Sequence, residues 1–223
     1  GDIWTNRALD PFGEVWPYLF KALPDGEAEG RAPAAVDTVN WPVVIFQDDA
    51  GGGGSNVYMM RALDPFGDFM NLKEDVVIGE DAVLSEDNSL LLYNGRLLVV
   101  YWSRADGVLR CVQTANQFFT EWYEPRDVAS APHNDGHYSL ALVGGTPAVA
   151  YFTGGPTPDT GYWGLKYVHA TTDSANFWSI PQPLYEDPDV RHPSLVDLEN
   201  RPVVAHQAGD DKHLRVSYFA PGT

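Results

Sequence analysis

The sequence predicts an all-β chain built from about four copies of one four-stranded unit, and three observations lead there. A ten-residue segment, Arg7–Trp16 (RALDPFGEVW), recurs almost unchanged at Arg61–Met70 (RALDPFGDFM). Weaker copies follow at Gln113–Trp122 (QTANQFFTEW) and His169–Trp178 (HATTDSANFW). Short β-branched and aromatic runs bounded by Gly, Asn, Asp and Pro fill the intervals, as strands joined by tight hairpins do. No window carries a persuasive 3.6-residue apolar period, so helices are not expected.

The elements fall into four types within each unit, here a to d. Strand a begins at Pro33-Ala34-Ala35, Ser89-Leu90-Leu91, Ser139-Leu140-Ala141 and Ser194-Leu195-Val196. A turn follows at Val39-Asn40-Trp41, Asn94-Gly95-Arg96, Gly144-Gly145-Thr146 and Glu199-Asn200-Arg201. Strand b is the apolar run Pro42–Phe46, Leu97–Tyr101, Pro147–Tyr151 and Pro202–His206. Strand c starts near Ile3, Val57, Leu109, Leu165 and Leu214, with spacings of 54, 52, 56 and 49 residues. Strand d follows the RALDPFG-type turn. Strands b and c are apolar on both faces, which suits sheets covered on each side. Four-stranded units of this length fit the blades of a β-propeller, which hides sheet edges by radial repetition. One domain over residues 1–223 is expected. The N-terminus supplies only c and d, and the C-terminus supplies a, b and a c-like strand. Joining the ends would close four blades with one c strand to spare. Five blades, or a piece of a larger propeller, are the alternatives.

The unit LKYVHATTDSANFWSIPQPL followed by HPSLVDLENRPVVAH resembles propeller repeats of secreted and surface-associated bacterial proteins. The turn Ala8–Trp16 resembles the Asp-box of sialidase-like propellers, a hairpin between the two outer strands of a blade. In that family the box is a fold element, so the resemblance implies no catalytic role for Asp10 or Asp64. Their carboxylates suit a turn by accepting local N–H bonds, with Pro and Gly setting its geometry. Trp16, Trp122 and Trp178 are expected to pack on neighbouring strands.

Composition bounds the function. The 223 residues are 44% hydrophobic and 13% aromatic, enough for a substantial core. With 14 basic and 31 acidic side chains the formal net charge is -17, which disfavours nucleic acid and anionic membrane surfaces. No apolar run reaches the length of a membrane-spanning helix. The chain opens in strand-like sequence with no basic-then-apolar leader, as a mature or excised domain would, and an extracellular or surface location is expected. Cys111 stands alone in an apolar strand and reads as a small buried hydrophobe.

The site is expected at the mouth of the propeller channel, where the inner strands begin. The residues two before each strand-a position are Ala32, Asp87, His137 and His192, with Arg31 and Arg191 one residue earlier. Ring closure would bring Asp87, His137 and His192 together, a set able to take an anion, a sugar or a first-row metal. A second column, Arg7, Arg61, Gln113 and His169, is expected to bridge blades. Tyr162 and Trp163, in the longest b–c hairpin, form a pair suited to stacking on a sugar or burial in a protein interface. Asp48 and Asp49, or Asp210 and Asp211, could contribute to a calcium site, although no EF-hand spacing is present. No cofactor is otherwise expected. Nucleophile-elbow, HExxH and phosphate-loop motifs are absent, and no catalytic residue is assigned. The resulting expectation is a non-catalytic recognition or adhesion module for glycan or protein, with oligomer formation open. A sialidase-like glycoside hydrolase and a purely architectural module are the alternatives. A carboxylate pair for hydrolysis would be defined in space, not in sequence.

Overall fold

The computed structural model describes residues 4–5, 20–21, 30–38, 42–49, 55–63, 74–85, 87–131, 136–154, 164–187, 189–209 and 212–218. The regular elements among them are β-strands, and no helix is long and apolar enough to cross a membrane. Two compact units divide the chain, Gly1–Ala82 and Val83–Thr223.

In the first unit β1 (Trp4–Thr5) pairs antiparallel with β2 (Phe20–Lys21). A separate antiparallel sheet runs β3 (Gly30–Val36), β4 (Val43–Asp49), β5 (Ser55–Arg61), β6 (Glu74–Val77). Its core is Ile45, Phe46, Val57, Met59 and Met60, all essentially removed from solvent. Polar side chains at the β4–β5 hairpin are buried with partners. Gln47 Nε2 donates to Ser55 Oγ at 2.9 Å, and the Ser55 N–H donates to Asp81 Oδ1 at 3.2 Å.

The second unit holds three sheets. β7 (Ala82–Val83), at the junction, and β8 (Leu90–Tyr93) both lie along β9 (Arg96–Ser103), which continues to β10 (Val108–Gln113) and β11 (Arg126–Ser130). The next sheet runs β12 (Tyr138–Val143), β13 (Thr146–Thr153), β14 (Gly164–His169), β15 (Gln182–Tyr185). The last runs β16 (Arg191–Leu198), β17 (Arg201–Ala208), β18 (His213–Tyr218). The first strands stand side by side, with β12 flanked by β8 and β16. Side chains and backbone tie them together. The Leu140 N–H donates to the Asn88 carbonyl at 3.1 Å, Asn88 Nδ2 donates back to the Leu140 carbonyl at 2.7 Å, and the Leu195 N–H donates to Ser139 Oγ at 2.9 Å.

The two-residue period of a strand explains how β13 serves two cores. Val149 and Tyr151 pack with Leu98, Val100, Leu109 and Leu140, whereas Ala148, Ala150 and Phe152 pack with Leu165, Leu195 and Val204. Strands b and c of the middle sheets are therefore apolar on both faces, as their sequence requires.

The repeat survives at the level of individual pairs. Leu90, Leu140 and Leu195 face Val99, Val149 and Val204, which in turn face Val112, Val168 and Ser217. Each of the five c-type segments falls on a strand where it is described, the first at Trp4–Thr5. The next strand begins 13 residues on in three cases, from Arg61 to Glu74, Gln113 to Arg126 and His169 to Gln182. A register slip falls at the same place each time, after Val57, Leu109 and Leu165. A bulge repeated at one position is a built feature that raises local twist.

The spare c-type strand has a place: β18 completes the β16–β17 ladder, while β1 pairs with β2. Of the Arg7–Arg61–Gln113–His169 column, Arg61 has a described partner in its own sheet. Arg61 Nη2 donates to Glu74 Oε1 within its own sheet, because a c-strand side chain reaches its d neighbour first. Arg7 lies outside the described residues, as do Asp10, Asp64 and Trp16 of the Asp-box-like turns. In the two described turns, Thr114 bridges Trp122 and Ala170 bridges Trp178, and Trp178 packs on the larger core.

Candidate functional site

Strands β8, β12 and β16 start together at one end of the second unit, and what precedes each one shapes a concavity there. Gly136 adopts φ +84° ahead of β12, and a Cβ at that position would stand 3.1 Å from Val83 Cγ1 and 3.2 Å from the Leu84 carbonyl. Only glycine suits both the left-handed backbone and the close approach. His137 follows it. In β16, His192 itself is left-handed, φ 49°, between Arg191 and Pro193. The ladder to β17 slips between Arg191 and Ser194 at this point. A left-handed residue other than glycine costs on the order of 1–3 kcal/mol and is found where surrounding structure and function hold it.

Tyr138 forms the buried footing. Its hydroxyl accepts from the Ser85 N–H at 2.9 Å, donates to the Val100 carbonyl at 2.8 Å and lies 2.8 Å from Ser89 Oγ. Burial raises its pKa far above the ordinary tyrosine value, so it remains a neutral donor. Above it, Ser139 Oγ donates to Asp87 Oδ2 while accepting from Leu195. One hydroxyl thus ties the start of β8 to β12 and β16.

The concavity holds about 250 Å³ and is lined by Asp87, His137 and His192, with Ser85 and Ser194. The two imidazoles meet edge to face, ring centroids 4.9 Å apart at 83°. A second concavity of about 500 Å³ shares both histidines and adds Asp189, Arg191, Gln207 and Lys212. The Arg191 guanidinium lies 4.3 Å from the Phe152 ring centroid, and its Nη1 donates to the Val190 carbonyl at 2.7 Å.

Sequence spacing therefore brings Asp87, His137 and His192 into one concavity and Arg191 into the next. Arg191 and His192 stand within β16, where a preceding loop was expected. Arg31 is exposed on β3 of the first unit, opposite Gln47. Tyr162, Trp163, Asp210 and Asp211 lie outside the described residues, as does the Asp49 side chain. The metal-holding reading of Asp87, His137 and His192 is not supported. Among the described residues no group of three or more His, Cys, Asp or Glu could hold a metal ion. The Asp87 carboxylate is drawn to Ser139, and the imidazoles turn toward each other.

Asp189, Gln207 and Lys212 were missed in the sequence. A signal for Gln207 exists: Arg191-His192-Pro193-Ser194 opposite Gln207 repeats Arg31-Ala32-Pro33-Ala34 opposite Gln47. Ala32, at φ 44°, shares the left-handed backbone of His192, and the same register slip accompanies it.

No protein-family model matches the sequence, and no curated protein matches it. Solved structures do share the fold. The endo-arabinase of Bacteroides thetaiotaomicron aligns over 99% of this chain and 87% of its own, at 16% identity and TM-score 0.58. The NanB sialidase of Streptococcus pneumoniae aligns over 92% and 33%, at 16% identity and TM-score 0.56. The exo-β-1,3-galactanase of Phanerochaete chrysosporium, solved with β-1,3-galactotriose, aligns over 92% and 50%, at 14% identity and TM-score 0.54. The propeller-like, all-β architecture expected from the repeat is supported by these neighbours. The expectation of a non-catalytic recognition module is overturned by them, since these neighbours are an endo-arabinase, a sialidase and an exo-β-1,3-galactanase.

Proposed function

We propose that this protein hydrolyses glycosidic bonds, with sugar bound where Asp87, His137 and His192 meet. One observation carries the reading: three successive first strands deliver a carboxylate and two imidazoles into a single concavity on a fold shared with arabinan-, galactan- and sialoside-directed enzymes. Glycoside hydrolysis uses two carboxyl groups, one protonating the departing oxygen and the other acting as nucleophile or as base for water. Asp87 is the described carboxylate of the first concavity, and Asp189 belongs to the adjoining one across the shared histidines. Ser139 Oγ donates to Asp87 Oδ2, which holds that carboxylate in place at the concavity. Asp189 sits on an exposed turn where its own N–H donates to Asp187 Oδ1 at 2.8 Å. The five separate strand ladders among the described residues favour five blades over four. Secretion or surface display fits an enzyme that works on polymeric glycans.

The experiment is reducing-sugar release from arabinan, β-1,3-galactan and sialosides by the wild-type protein and by Asp87→Asn and Asp189→Asn. We expect turnover on at least one glycan and a fall in kcat of about 100-fold or more in each variant with folding intact. A wild-type protein that releases nothing from any of them defeats the proposal. Undiminished turnover in Asp87→Asn would remove that carboxylate from the chemistry.

A further inference from the structure

We propose that the outer face of the β16–β18 sheet binds a second copy of this chain, forming a two-fold dimer. The other face of this sheet is already in use, since Leu195, Val204 and Ala208 pack with residues of the β12–β15 sheet. The two-residue period of a strand sends Val196, Leu198 and Val203 to the opposite side. Register carries that side across the third strand. Val196 stands opposite Val203, Val203 opposite Tyr218, and Ala205 opposite Val216. Val196, Leu198, Val216 and Tyr218 are 52%, 60%, 57% and 71% exposed, so an apolar row crosses three strands in contact with water. A hollow of about 310 Å³ lies along it, framed by Leu198, Val203, Val216 and Tyr218 and rimmed by Glu199 and Arg201.

The repeat shows what such a face is built for. In the β12–β15 sheet the ladder positions of Val196, Leu198, Val203 and Val216 are held by Ala141, Val143, Ala148 and Tyr167. There all four pack in the core shared with Leu195 and Val204 of the β16–β18 sheet. The exposed row therefore continues an established sheet-on-sheet interface, one repeat further along. Its charges select the partner. Glu199 and Arg201 flank the β16–β17 turn, both exposed, and their side chains carry no ion pair or hydrogen bond among the described residues. A two-fold axis along the strands sets each turn beside its copy, so that Glu199 of either chain meets Arg201 of the other. A partner of a single charge would satisfy only one of the two. For chains of formal charge -17, a face whose rim charges cancel is also where two copies repel least.

Sedimentation velocity on the full chain tests the inference. Three strands make a small interface, so the mass should pass from one chain to two between about 1 and 200 µM. Val203→Asp puts a carboxylate in the middle of the row and should hold the protein at the mass of one chain throughout. Glu199→Arg and Arg201→Glu each turn both attractive contacts of the dimer into repulsive ones, and each should weaken pairing about tenfold. An equimolar mixture of those two variants restores both contacts and should pair as tightly as wild type. Arg110→Gln, in another sheet and already held by Asp106 and Asp127, should also pair like wild type. Should Val203→Asp misfold, the two turn variants carry the test, with thermal unfolding as the check that each is folded. Wild type that keeps the mass of one chain at every concentration overturns the inference, whatever else covers the face, this chain's own residues 219–223 included. Pairing indifferent to all three substitutions places the interface elsewhere and overturns it too. A mixture that pairs no more tightly than its components overturns the two-fold match of charges.

Discussion

Tyr138 shows how much a single side chain can organise when its polar end is buried among partners. The ring is part of the larger core, while the hydroxyl meets groups from three stretches of chain: Ser85, Ser89 and Val100. Removing the oxygen leaves the Val100 carbonyl and the Ser89 hydroxyl short of a partner in a dry place, which costs about 1–3 kcal/mol. Tyr138→Phe is therefore expected to lower the unfolding free energy by that amount, read as a lower urea midpoint with little change in the slope. A variant as stable as wild type would mean that the network is not worth its hydrogen bonds. Because Ser85 also lines the concavity proposed to hold sugar, a loss of activity larger than the loss of stability would show that the network positions the site as well.

At the level of elements, glycine at one strand start sets what the next strand can do. Gly164 opens β14 at φ +117°, and a Cβ there would come within 2.3 Å of the Tyr185 carbonyl and 2.9 Å of the Asp187 N–H nitrogen. Both obstacles are backbone, so β15 would have to move. Gly164→Ala should cost about 2–4 kcal/mol, through left-handed strain and a displaced ladder together. Amide exchange should report faster opening of β14 and β15 than of β9 and β10. Uniform protection across the two sheets would contradict this account. The recurring slip after Val57, Leu109 and Leu165 belongs to the same scale: in three sheets the outer strand is set off register at one repeat position, which adds local twist.

For the molecule as a whole, burial of proton-bearing acids gives the fold an alkaline limit. Burial pushes the Cys111 thiol from 9.0 up to about 11 and the Tyr167 phenol from 10.0 up to about 12, and Tyr138 higher still. Each group keeps its proton in the folded chain at a pH where the unfolded chain has released it, so unfolding is favoured as pH rises. The contribution from Cys111 is fully present below about pH 9.0 and disappears as pH climbs through about 11. Thermal unfolding scans should show a midpoint that falls steadily from pH 9 upward. Cys111→Ala should flatten the fall between pH 9 and 11 by up to about 1.4 kcal/mol per pH unit. An unaltered slope would show that the thiol titrates alike in both states. What could be read from the chain alone was the periodic part. Five c-type starts, the strand order within a unit and the apolar columns of β9 and β13 are all local patterns, because a strand two sheets thick must be apolar on both faces wherever it occurs. The alignment of strand-a starts likewise placed Asp87, His137 and His192 at one end, since equivalent positions in stacked sheets are neighbours. The path of Arg191 over Phe152, the turn that sets Asp189 beside the histidines and the hairpin that carries Lys212 back to them depend on distances across sheets. So does the separate pairing of β1 with β2 and of β18 with β17. Those arrangements arise from packing between segments far apart in the chain, where many pairings satisfy the same local preferences and only the assembled core selects one.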